Sequence, residues 1–211
     1  APEGEGFRFP GIGPWAAGEG RLRLLTPRGR VIELTWQRPL PDGDTLIDVM
    51  SPSVSPDGRR VLFSGRRQND GHGRFRLYEV GVDGRGLRQV TGGPGDPGCE
   101  APPPMRWDSE GRRMPDDARR RLDYDDIDPV ELNDAERRIL FVSSRSPDLG
   151  RDHSRRSTTL WVAGPGGNGR PASGNRNNDR WPCLLSSSYV SFTSWSRNRE
   201  VLLADRGRIA P

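Results

Sequence analysis

The chain has 211 residues, of which 31% are apolar, 27 are glycine and 20 are proline. So many prolines exclude long helices, because each interior proline costs about 3 kcal/mol there. The 33 basic residues, every one an arginine, stand against 29 acidic ones for a net charge of +4.

The densest basic groups, Arg119 to Arg121 and Arg155 with Arg156, sit beside Asp116, Asp117, Asp123 and Asp152. A nucleic-acid surface wants an unneutralised basic stripe, so no nucleic-acid partner is expected. No apolar run approaches the roughly 20 residues of a membrane-spanning helix, and no membrane span is expected. Cys99 and Cys183 allow at most one disulfide, and neither belongs to a CxxC pair.

In chain order, residues 1–20 read as an N-terminal extension. Residues 21–46 read as a partial blade and open with RLRLLTPRGRVIELT, an outer hairpin. Residues 47–93 hold two successive hairpins. In the first, SPSVSPDGRRVLFSGR turns at Asp57 and Gly58; the Asp-Gly pair supplies the positive φ conformations of a tight hairpin, and Val61, Leu62 and Phe63 supply a buried strand. In the second, RLYEVGVDGRGLRQVT turns at Asp83 and Gly84.

Residues 94–124 are rich in proline, glycine and charge and read as an insertion, with Pro115, Asp116 and Asp117 placed to start a short polar helix. Residues 125–174 repeat the two-hairpin design. Pro129 matches Pro52, Asp134 matches Asp57, Phe141 matches Phe63, and Leu160 with Trp161 matches Leu77 with Tyr78. Residues 175–211 carry a fainter third copy, with Pro182 and Phe192 in the matching places and Ser186 to Ser188 where the turn falls. Pro129 and Pro182 are 53 residues apart, near the blade period of about 40–50.

Two hairpins per repeat make four antiparallel strands per repeat, which is the make-up of a β-propeller blade. The predicted fold is therefore all-β: a partial propeller of about three blades with one loop and short-helix insertion. The N-terminal hairpin is an outer hairpin lacking its inner partner. The turns at Asn133 to Glu136 and at Ser186 to Ser188 lack Asp-Gly and are expected to be looser.

On the residues SPSVSPDGRRVLFSGR and LYEVGVDGRGLRQVT, the sequence resembles the TolB-type bacterial propeller repeat, over roughly residues 20–200. More narrowly, DIDPVELNDAERRILFVSSR and NRNNDRWPCLL look like propellers related to the alpha subunit of hydrazine synthase. That enzyme's chemistry depends on c-type haems, and this chain carries no CxxCH motif, so the resemblance implies the architecture without the activity. It also implies a bacterial periplasmic or envelope setting.

Asp123, Asp125, Asp126 and Asp128 put four carboxylates in six residues. Such a group either converges on a hard cation such as Ca²⁺ or forms a solvated strand-entry loop neutralised by neighbouring arginines. The second is the plainer reading, since no glycine follows at EF-hand spacing. Gly93 to Gly98 fits G-x-G-x-x-G only formally, because two prolines remove backbone donors and no helix follows.

The histidines, His72 and His153, are too few for a metal site, and no G-x-S-x-G elbow occurs. No catalytic residue and no cofactor is expected, Ca²⁺ apart. Cys99 and Cys183 read as packing or disulfide residues. Trp107, in the insertion, is the candidate contact residue. The expected function is a non-enzymatic interaction or scaffold module, a fragment of a larger propeller protein, that holds a protein or small ligand at the propeller face. The alternative is the propeller domain of an exported enzyme, peptidase-like or haem oxidoreductase-like, whose catalytic part lies elsewhere.

Overall fold

The computed structural model describes residues 20–69, 74–93, 96, 124–146, 156–165, 169–175, 177–185 and 189–195. The predicted insertion and helix start lie outside them, except for Asp96 and Tyr124. Among the described residues all regular structure is β, arranged in four antiparallel sheets in chain order.

The N-terminal hairpin pairs β1 (Arg23–Leu25) with β2 (Val31–Glu33). Sheet I runs β3 (Leu46–Val54), β4 (Arg60–Arg67), β5 (Phe75–Gly81) and β6 (Arg88–Gln89), each strand pairing with the next. Sheet II repeats that meander with β7 (Asp126–Glu131), β8 (Ile139–Ser143), β9 (Thr159–Ala163) and β10 (Gly169–Pro171). The C-terminal hairpin pairs β11 (Asn178–Leu184) with β12 (Val190–Trp195).

The turn chemistry accounts for the meanders. Gly58 takes φ 70°, and Asp57 Oδ1 accepts from Ser55 Oγ at 2.6 Å and from the Arg59 N–H at 3.0 Å. The Asp-Ala-Glu turn of sheet II is not looser. Asp134 Oδ1 accepts from the Arg138 N–H and its Oδ2 from Arg138 Nε at 2.9 Å, while Arg137 takes the left-handed φ of 52° that glycine takes elsewhere. A charged side chain thus does what glycine's freedom does in sheet I.

Strand alternation places the core. On β4, Val61 and Phe63 face the N-terminal hairpin, packing with Leu22, Leu34 and Leu40, while Leu62 faces sheet II and packs with Ile139 and Phe141. On β8, Ile139 and Phe141 face sheet I, while Leu140 and Val142 face the C-terminal hairpin with Leu184 and Val190. Successive sheets therefore stack face to face, and sheets I and II bury both faces through the period-2 alternation of their strands. Phe63, Phe141, Tyr78 and Val142 are completely buried; on the usual scale burial contributes about 1.5–3 kcal/mol per large apolar side chain.

The outer hairpins repeat in detail. The Leu77 N–H donates to Thr91 Oγ1 and the Leu160 N–H to Ser173 Oγ; likewise the Leu22 N–H donates to Thr35 Oγ1, at 3.1, 2.9 and 3.0 Å. The N-terminal hairpin is thus built like β5–β6 and β9–β10.

Candidate functional site

The first strand of each unit, β3, β7 and β11, carries a proline, and each breaks its ladder there. Register shifts fall between Met50 and Ser53, between Ile127 and Val130, and between Arg180 and Cys183. In all three the residue before proline adopts a left-handed conformation: Ser51 at φ 51°, Asp128 at 51° and Trp181 at 53°. A bulge re-aims its side chains, and non-glycine residues held in this region cluster where the surrounding structure over-determines them.

Here the surroundings are the other first strands. β7 touches β3 and β4 on one side and β11 on the other. Asp128 Oδ1 accepts from Ser51 Oγ at 2.6 Å, and Oδ2 accepts from Arg180 Nε at 2.6 Å and the Trp181 N–H at 3.4 Å. The three equivalent bulges are therefore joined through one carboxylate. Arg180 and Asp128 are both buried, whereas Trp181, whose ring lies 5.0 Å from the Arg180 guanidinium, is 45% exposed.

A second buried pair lies two residues earlier, at the start of β7. Arg145 donates to Asp126 Oδ2 at 2.5 Å, to Asp96 Oδ1 at 2.7 Å and through Nε to Ser143 Oγ at 3.0 Å. It also lies over the Tyr124 ring at 4.7 Å. Asp96 and Tyr124 bracket most of the predicted insertion, so Arg145 clasps both sides of that excursion. Burial pushes the Tyr124 phenol up to about 12. Burial likewise raises the Asp125 carboxyl, although Asp125 Oδ1 accepts the Phe75 N–H at 2.9 Å.

The acidic cluster is thus taken apart by the fold. Asp125, Asp126 and Asp128 are buried and turn to Phe75 and Arg74, to Ser143 and Arg145, and to Ser51 and Arg180. The expected solvated loop is a buried strand, and the neutralising arginines are not the sequence neighbours. Among the described residues no three His, Cys, Asp or Glu side chains are grouped to hold a metal ion.

Asp123, Trp107, His72, His153 and Cys99 lie outside the described residues. Cys183 is exposed with a free thiol, so it is not a packing residue. Among the described residues no helix is long and apolar enough to cross a membrane. A surface cleft of about 710 Å³ beside Arg67, Arg76 and Arg88 is the other candidate. Its arginines are engaged, by Asp42 and Asp44, by the Tyr124 carbonyl and ring, and by Glu79.

Sequence reading missed Arg145, Arg180, Ser51 and Asp96. The recurrent residue-plus-proline pair was the available signal, because three prolines at matched places in strands imply three bulges.

No protein-family model matches the chain, and no curated protein matches it. Among solved structures it is similar to Kuenenia stuttgartiensis hydrazine synthase, at 15% sequence identity and a TM-score of 0.52. The match covers 80% of this chain and 23% of that one. At this identity the likeness shows a shared fold. The all-β stack of four-stranded antiparallel sheets is in keeping with partial propeller blades.

Proposed function

We propose that the chain is a non-catalytic propeller module that holds a protein or small ligand at the face where β3, β7 and β11 meet. The observation that carries this is Trp181. It is an exposed aromatic in a left-handed conformation, set on the buried Arg180–Asp128 pair at one of three bulges joined through Asp128. Exposed aromatics on rigid supports are the usual anchors of binding surfaces, and a propeller's concave face is a common place for a ligand. A bacterial periplasmic or envelope location and a TolB-type ancestry belong to the same proposal, on the repeat motifs.

The test is an array of immobilised peptides probed with the purified chain and with Trp181→Ala, with Trp36→Ala as a remote control. Binding lost in Trp181→Ala and kept in Trp36→Ala supports the module. Binding unaffected by Trp181→Ala overturns the assignment of this face.

A second reading is a propeller domain within a larger exported enzyme, peptidase-like or haem oxidoreductase-like. It is favoured by the coverage, since most of this chain corresponds to under a quarter of the hydrazine synthase chain. The full-length reading frame decides it: CxxCH motifs or a hydrolase elbow beyond these residues favour the enzyme.

A further inference from the structure

Two sheets are incomplete among the described residues, and they are incomplete in opposite senses. The N-terminal hairpin is built like the outer pairs β5–β6 and β9–β10, on the same leucine-to-hydroxyl bond. The C-terminal hairpin is built like the inner pairs β3–β4 and β7–β8. Its first strand carries the same broken ladder, and Leu184 pairs with Val190 as Val54 does with Val61 and Glu131 with Ile139. In sheets I and II the inner pair bonds the outer pair, β4 to β5 and β8 to β9. Among the described residues β12 pairs only with β11 and β1 only with β2, so each presents one half of that missing seam. Edges of this kind recruit a strand.

The apolar residues that such a seam would bury are exposed at both edges. Phe192 holds the place of Phe63 and Phe141, which lie opposite Tyr78 and Trp161; those two are 0% exposed and Phe192 is 44%. Leu25 stands three residues after Leu22, as Val80 does after Leu77 and Ala163 after Leu160. Val80 and Ala163 are buried against the preceding sheet, whereas Leu25 is 68% exposed. Its cross-strand partner Val31 stands four residues before Thr35, as Leu87 does before Thr91; Leu87 is buried and Val31 is exposed.

We propose that β12 of one copy takes β1 of a second copy as its third strand, so that the two half-sheets complete one four-stranded sheet across the copies. The β4–β5 and β8–β9 pairings set the register. Thr193 falls opposite the second copy's Leu22, Phe192 opposite its Arg23 and Val190 opposite its Leu25. The second copy's Arg23 then stacks its guanidinium on the Phe192 ring. Its Leu25 and Val31 close over Val162 of sheet II, which holds the place that Leu24 holds beneath Val80 and Leu87. Each copy offers both edges, so a head-to-tail pair meets twice and closes. Two whole sheets and two halves per copy make six blades for the pair, within the roughly four to eight of closed propellers. This inference rests on the propeller reading and is independent of what the first-strand face holds.

Sedimentation equilibrium of the 211-residue chain is expected to give twice the mass of one chain. Leu25→Asp sets a charge where the pair buries a leucine, at a position exposed in the single chain, so it is expected to weaken the pair about tenfold or more with an unchanged far-ultraviolet circular dichroism spectrum. A single-chain mass, open-ended growth with concentration, or a pair that Leu25→Asp leaves intact overturns the proposal. Crosslinking between differently tagged copies reads the register, with Cys99 and Cys183 changed to serine. Val190→Cys in one copy and Leu25→Cys in the other are expected to form the mixed disulfide in oxidised glutathione about tenfold faster than Val190→Cys with Leu24→Cys, which lies on the opposite face. Equal rates overturn the proposal. A single-chain mass with peptide binding kept would overturn the pairing alone and leave the ligand-holding module standing.

Discussion

At the residue scale, the decisive groups are buried acids whose partners lie far off in sequence. Asp126 meets Arg145 across 19 positions and Asp128 meets Arg180 across 52. Arg145→Met removes the charged partner of Asp126, which is 0% exposed, and breaking a buried pair from one side costs about 3–5 kcal/mol. Urea unfolding is expected to show a loss of that order. Arg145→Lys recovers part of it, because a point charge replaces the planar fork. Since the three described acids are already satisfied by arginines, hydroxyls and backbone donors, the melting temperature is expected to be the same with Ca²⁺ and with a chelator. A calcium-dependent rise would support the cation reading.

Asp57 sets a pH dependence. The Ser55 hydroxyl, and after it the Arg59 N–H, hold its carboxyl below the usual 3.8. A carboxyl lowered on folding stabilises the fold above its unfolded value, and that contribution fades as pH falls through the folded one. Asp57→Ala is therefore expected to melt lower than the parent at pH 7, with the gap closing below pH 3.8.

At the element scale, each outer hairpin hangs on one hydroxyl. Thr91→Val keeps the shape and leaves the buried Leu77 N–H unpaired, at a cost of about 1–3 kcal/mol by chemical denaturation. Thr91→Ser is expected to restore most of it. Gly65 makes the complementary point, because a Cβ there would meet the Tyr78 ring at 2.8 Å and Leu46 at 3.3 Å. Its absent side chain is what lets β5 carry a tyrosine against β4.

Elements of this kind were legible in the sequence. The Asp-Gly turns, the matched prolines and the Val-Leu-Phe and Ile-Leu-Phe runs encode local geometry and alternation, which act over a few residues. The site was less legible. Four aspartates in six residues look like one group, but strand alternation and a bulge send Asp125, Asp126 and Asp128 to different neighbours. No local rule says which distant arginine arrives. The Asp134 turn was misjudged for a similar reason, because the carboxylate's grip on Arg138 replaces the glycine.

At the scale of the whole molecule, the sheets stack in chain order and bring the first strands β3, β7 and β11 together, so the polar contacts at the bulges report the assembly itself. Ser51, Asp128 and Arg180 come from three different sheets, and they meet only if β3, β7 and β11 converge as described. The most direct measurement is a double-mutant cycle on Asp128 and Arg180, using Asp128→Asn, Arg180→Gln and the double variant in urea unfolding. Asparagine suits the position because it tolerates the left-handed backbone there. Convergent first strands predict a coupling of about 1.5 kcal/mol or more, within the range of directly contacting residues. Single-variant losses that add to within about 0.3 kcal/mol would mean that the pair does not form and that the sheets are not joined through Asp128.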